Sequence, residues 1–231
     1  MLLKDIIARV QSLYSRGVET DDSALTSRHI YNKLLSVRSL LISQKINKKQ
    51  KISDWVYQIL PCVEMIEVDE SMCPCIPPKG CTVMRSKEKI PKSLSGLSYQ
   101  FIAGVFTPDM RKRFSYSTRK ALSFSKGNKY TSGGNKYLIE EGYLYAYGQY
   151  VPNYLTVKMI LEDPLEVSKF NTCQEPMGPE ENCKSPLDRE FLIDVDLVEP
   201  LIRISIEELI GDFIKIKKDS KTTDNEDDRA S

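Results

Sequence analysis

Apolar residues recur at two different spacings along this chain, and the change between them divides it. Leu3, Ile6, Ile7, Val10, Leu13 and Tyr14 return every three or four positions, which predicts a short amphipathic helix. Gly17 suits its end, because glycine accepts the left-handed backbone of a helix stop. Beyond the polar stretch 19–23, Thr26 or Ser27 can cap a long helix from Arg28 to Lys49. Its stripe is Ile30, Leu34, Val37 and Leu41, widened by Tyr31 and Leu35. A second long helix is expected from Leu197 to Lys217. Asp196 and Glu199 would form a capping box at its start, and Pro200 would fall in the first turn, where a missing amide costs least. Leu201, Ile202, Ile206, Leu209, Ile210 and Phe213 make its apolar face.

Between the long helices the period shortens towards two. Strands are expected at Trp55–Leu60, Val63–Val68, Cys81–Met84, Phe101–Phe106, Arg113–Ser117 and Ala121–Phe124. Lys136 to Tyr147 reads as a hairpin turning near Glu141-Gly142. In Asn153–Leu161, Leu155, Val157, Met159 and Leu161 share one face. Residues 171–186 carry Pro176, Gly178, Pro179 and Pro186 and read as an irregular connection. From Asp219 to Ser231 the only apolar residue is Ala230, which predicts a disordered, mostly acidic tail.

The pattern gives an α+β fold. Residues 1–51 and 187–217 form a helical layer from both chain ends, with an antiparallel β-sandwich or barrel inserted at 52–186 and a tail at 218–231. Neither long helix can bury its stripe alone. Each must pack on the other, on the β-domain or on another copy.

Composition changes this picture little. The 231 residues are 41% hydrophobic and 28% charged, as in an ordinary globular protein, and suffice for a real core. A net charge of +1 supplies no bulk field for nucleic acid or membrane, so such affinity must come from local patches. Lys4, Asp5 and Arg9 interrupt the apolar run that a signal peptide needs, and no apolar stretch is long enough to span a bilayer. On that basis the six cysteines are expected to be reduced thiols.

The strongest chemical cluster is Cys73-Pro-Cys75 with Cys81 following and Cys62 upstream. Four thiolates suit zinc, and Cys173 and Cys183 can complete such a set. The Cys-x-Cys spacing is tighter than the usual zinc turn, and cysteine is also a common buried small residue, so inert thiols are the competing reading. Cofactors are otherwise expected to be none. The lone histidine, His29, sits among capping residues, which suits packing better than catalysis. Glu140/Glu141, Glu162/Asp163, Asp194/Asp196 and Glu207/Glu208 read as turn, strand edge, helix cap and solvated face, with nothing to set two carboxylates across a cleft. Residues 131–136 lack the spacing of a phosphate loop. Lys45, Lys48, Lys49 and Lys51 suit the C-terminal end of a helix dipole, with an anion patch as the alternative. Arg111-Lys-Arg-Phe-Ser-Tyr, with Arg119, Lys120, Lys126, Lys129 and Tyr130, interleaves basic and aromatic side chains. That describes an ordinary two-faced sheet or a nucleic-acid-binding face. An enzyme is not expected.

Several stretches resemble the neck proteins of crAss-like and related short-tailed phages, the ring, head-to-tail connector or adaptor proteins. They are Leu3 to Gly17, Ser27-Arg-His-Ile-Tyr-Asn-Lys-Leu-Leu, Ile52-Ser-Asp-Trp, Leu60-Pro-Cys-Val-Glu, the Cys73 to Cys81 loop and Arg85-Ser-Lys. Lys126-Gly-Asn-Lys-Tyr-Thr, Leu161-Glu-Asp-Pro-Leu-Glu-Val and Glu208-Leu-Ile extend the likeness over most of the chain. The resemblance implies a virion structural protein assembled in the host cytoplasm, a homo-oligomeric ring, commonly twelve-fold, that links the portal to the tail. Its partners would be the portal and other neck or tail ring proteins, with DNA passing through the lumen without specific binding and no membrane involved. By analogy the portal and ring contact falls on Leu201, Ile202, Ile206, Leu209 and Phe213. Head-to-tail rings need two different complementary faces per subunit, which two apolar helices and a β-domain with exposed edges would supply. A nucleic-acid-binding module and a zinc-stabilised scaffold are the alternatives.

Overall fold

The computed structural model describes residues 1–15, 25–68, 83–94, 101–125, 134–148, 150–169 and 185–223. The chain divides into two compact units, 1–53 with 183–231, and 54–182. The expected segments at Cys73–Cys81, Lys126–Tyr130, 171–184 and 224–231 lie outside the described residues, as does Gly17.

The first unit is helical. Helix α1 spans Leu3–Tyr14, α2 Ser27–Asn47 and α4 Val195–Thr223. Thr26 caps α2 by accepting the His29 amide at 3.2 Å, and Lys49 ends it with φ 56°. Helix α4 starts at Val195, two residues earlier than the pattern suggests. Asp194 therefore precedes the helix, Asp196 lies inside it, and Pro200 falls beyond the first turn. Helix α4 also continues to Thr223, past the Lys217 end expected from hydropathy.

Both α1 and α2 pack against α4. Ion pairs fix the direction: Lys45, near the end of α2, meets Asp196 at the start of α4 (2.8 Å), while Lys33, near the start of α2, meets Glu208 (3.3 Å). The two long helices are therefore antiparallel. Arg9 of α1 reaches Glu199 at 2.7 Å. The chain start is tied backbone to backbone to 189–191, with Leu3 N donating to the Arg189 carbonyl and Phe191 N to that of Met1.

The second unit is a closed seven-stranded barrel. Its strands are β1 Gln58–Val68, β2 Val83–Ser86, β3 Ile102–Phe106, β4 Arg113–Tyr116, β5 Lys136–Glu140, β6 Tyr143–Tyr147 and β7 Tyr154–Met159. They close in the order β1-β2-β6-β5-β4-β3-β7. Leu60, Val63, Val105, Phe114, Leu144, Leu155 and Val157 are among the side chains that fill the interior.

The expected fully antiparallel sheet is corrected at one place, because β4 and β5 run parallel. Parallel neighbours need a long crossover, and residues 117–135 supply it. That crossover contains helix α3, Arg119–Ser125, where alternation at Ala121–Phe124 suggests a strand. Thr118 starts the helix by accepting the Ala121 amide on its hydroxyl at 3.2 Å.

Two local devices set the barrel's register. Glu141 (φ 52°) and Gly142 (φ 84°) form the two-residue turn between β5 and β6, both in the left-handed region that such turns require. In β1 the pairing with β7 slips by one residue between Leu60 and Val63. Pro61, which lacks a ladder donor, sits in that bulge. Its carbonyl accepts the Thr156 hydroxyl at 3.0 Å.

Candidate assembly surfaces

In the helical unit the apolar faces are largely spent on its own core. Leu201, Ile202 and Leu209 are buried, as are Ile30, Leu34, Val37, Leu41 and Ile42 of α2. Three of the residues expected at a portal contact thus hold α4 in place from beneath. Ile206 is half-buried, and the side chain of Phe213 lies outside the described residues. What α4 offers outward is Val195, 81% exposed, and Ile210, 43% exposed, with Glu199, Arg203 and Glu207 between them.

Arg38 is the buried core residue that the stripe reading misses. It is fully buried in α2, its Nε donates to the Leu192 carbonyl at 2.7 Å, and its guanidinium lies 6.0 Å from the Phe191 ring centroid. The signal was present, because position 38 falls between Leu34 and Leu41 at helical spacing from both.

The lysine cluster is partly structural. Lys45 Nζ bonds Asp194 at 2.9 Å and Asp196 at 2.8 Å, and Asp194 also accepts the Ser53 amide at 3.2 Å. Burial pushes the Asp194 carboxyl up, but the bonds from Ser53 and Lys45 outweigh it and hold the group below its ordinary range. Its bonds to Asp196 and Asp194 raise Lys45 against the lowering effect of burial. The signs fix a stability window. Asp194's contribution is complete above about pH 4 and is lost as pH falls through its depressed value. That of Lys45 is complete below about pH 10 and is lost as pH rises through its raised value. Asp194→Asn is expected to lower stability at neutral pH by about 2 kcal/mol and to flatten the acid side of the pH–stability curve. Urea midpoints measured from pH 3 to 7 check this; an acid limb identical to that of the unsubstituted chain would contradict it.

The barrel carries no free strand edge among the described residues, because the seven strands close on themselves. The edges expected to serve assembly are therefore absent there, and contacts must use outward side chains. Trp55, Ile59, Tyr116 and Tyr154 are exposed. The basic-aromatic stretch is built into the surface rather than left loose. Arg113 lies over Phe106 (5.9 Å) and donates to the Ala103 carbonyl at 2.9 Å, while Arg119 Nε bonds Glu140 at 2.9 Å. In the β3–β4 turn, the Thr107 hydroxyl and the Arg111 amide bond Asp109 and hold its carboxyl below the usual range.

Three further carboxylates are engaged in ion pairs. Glu208 pairs with Lys33, Glu162 with Lys92 and Glu64 with Lys87. Among the described residues no three His, Cys, Asp or Glu side chains gather where they could hold a metal. Cys62 is disulfide-bonded, which differs from the expected reduced thiols, and in that state it offers no thiolate to zinc. Cys73, Cys75, Cys81, Cys173 and Cys183 lie outside the described residues. Thiol titration of the unfolded, unreduced chain is expected to count no more than four of the six cysteines, since the bond removes two. A count of six would contradict the bond. No helix among the described residues is long and apolar enough to cross a membrane.

Comparison with known proteins adds a second line. Residues 5–228 match the family described as phage tail ring protein 2. Ring protein 2 of Bacteroides phage crAss001 is 31% identical over 217 residues, covering 84% of this chain and 84% of that protein.

Proposed function

This chain belongs to the phage tail ring protein 2 family, and from that premise we propose that its copies close into a ring in the neck of a virion, between portal and tail. The observation that carries the reading is the extent of the match, which runs through both the helical unit and the barrel. The role is structural and not enzymatic. Each named carboxylate pair is tied up in a cap, a turn or an ion pair, and His29 lies on the surface at the α2 cap. The ring is commonly twelve-fold, assembles in the host cytoplasm, and stacks on other neck or tail ring proteins. DNA passes through its lumen without specific binding, which suits a chain of net charge +1.

The portal contact falls on α4. Leu201, Ile202 and Leu209 anchor the helix in its own unit, while half-buried Ile206 and exposed Ile210 are the apolar side chains left towards its C-terminal end. Light scattering of the purified chain, alone and with portal in excess, tests the assembly. A ring-sized species under either condition is expected. A strict monomer under both would overturn the proposal.

A further inference from the structure

We infer that the outer face of the barrel at β3, β4 and β5, with the β3–β4 turn, is a binding surface for the phosphate backbone of nucleic acid. The inference goes beyond the ring reading and stands apart from it, since a phosphate contact reads no base and needs no ring.

Alternation along β4 sets the face. Phe114 is buried, so Arg113 and Ser115 point outward, about 7 Å apart along the strand. Ser115 pairs with Lys136 of β5, where Tyr137 is the inward residue, and Arg113 pairs with Phe106 of β3. Arg113 and Lys136 are thus diagonal neighbours, and exposed Arg111 and Lys112 continue the face into the turn. Residues 101–120 and 134–140 carry six cations against two carboxylates, Asp109 and Glu140. Both carboxylates are already engaged, Asp109 by Thr107 and the Arg111 amide, and Glu140 by Arg119. Arg111 is 86% exposed with Asp109 no nearer than 3.8 Å, and Lys112, Arg113 and Lys136 make no ion pair among the described residues.

Arg113 separates this face from an ordinary solvated charge run. Its Nη2 donates to the Ala103 carbonyl at 2.9 Å, and its guanidinium lies 5.9 Å from the Phe106 ring centroid. A Cβ at Gly104 would come within 2.7 Å of that ring and 3.4 Å of Arg113 Nε, so glycine lets the pair settle on β3. A cation held by a carbonyl and a ring keeps its full charge and has little rotamer freedom left to lose, which favours anion recognition. An extended peptide would need a strand edge for its main chain, and the closed barrel gives none among the described residues. Phosphate oxygens need only side-chain donors. Tyr116, 63% exposed at the end of β4, adds an aromatic surface for a sugar or base.

Salt titration of duplex binding tests this. With four cations on the face, the binding constant for a short fluorescent duplex is expected to fall with salt at a log–log slope of about −3 to −4. Between about 50 and 200 mM salt that is a loss of roughly a hundredfold. Arg111→Gln, Lys112→Gln and Lys136→Gln together are expected to bring the slope to about −1 and to cut affinity at low salt by about tenfold or more. The exposed turn pair alone, Arg111→Gln with Lys112→Gln, is expected to give about −2. Lys48→Gln, Lys49→Gln and Lys51→Gln together remove as many exposed charges from the other unit and are expected to leave the slope unchanged. A chain that binds no duplex at about 50 mM salt would overturn the inference, as would a loss shared equally by the two triple variants. A face variant that binds duplex normally but no longer associates with other copies in mass photometry would overturn it too and assign the face to a protein neighbour. None of these outcomes depends on ring formation, which light scattering tests separately.

Discussion

Replacing Arg38 with alanine is expected to destabilise the helical unit by about 4 kcal/mol. The side chain is among the largest that are fully buried, and α2, α4 and the segment before α4 close around it. Truncation leaves a cavity of several methylenes and removes the donor from the Leu192 carbonyl. Arg38→Met keeps most of the volume and loses mainly the hydrogen bond, so about 1–2 kcal/mol is expected for it. Urea unfolding gives both values, and hydrogen exchange at α2 amides shows where the loss falls. An alanine variant within about 0.5 kcal/mol of the unsubstituted chain would contradict this account of the helical core.

Phe114→Ala is expected to cost the barrel about 3–5 kcal/mol. Strand β4 has four residues, and Phe114 is the one buried among them. It anchors a strand paired to β3 by only two residue partners and to β5 by the parallel pairing. With the ring removed, β4 is held mainly by backbone hydrogen bonds, and the barrel opens most easily there. Phe114→Leu is expected to recover more than half of the loss. Faster exchange at β3, β4 and β5 amides than at β1 and β7 would accompany the alanine change. A loss below about 1 kcal/mol would mean that Phe114 does not hold the closure.

These two residues show what hydropathy makes legible. Phe114 stands out as an apolar position within a basic stretch, and the strand around it follows from alternation. Arg38 does not stand out, because a charged side chain reads as solvent-facing until its helical position is checked against Leu34 and Leu41. The cap at Thr26 and the turn at Glu141-Gly142 were readable, since each depends on a few adjacent residues. Helix α3 was misread as a strand because its apolar alternation is too short to separate periods of two and 3.6; Thr118 as a cap was the better guide. The parallel β4–β5 pair was not readable at all. It depends on how the crossover packs, which no local signal encodes.

The candidate surfaces were legible in composition but not in exposure. An apolar stripe on a helix says that something covers it, and in α4 much of the cover is the chain's own α1 and α2. Hydropathy could not say that Leu201, Ile202 and Leu209 face inward while Val195 and Ile210 face out. The basic stretch was visible, whereas the pairing of Arg119 with Glu140 emerged only from the fold.

Cryo-electron microscopy of the neck of particles that carry this chain tests the central claim most directly. The account predicts a closed ring of its copies between portal and tail. Particles whose neck lacks the chain, or hold it as isolated single copies, would contradict it.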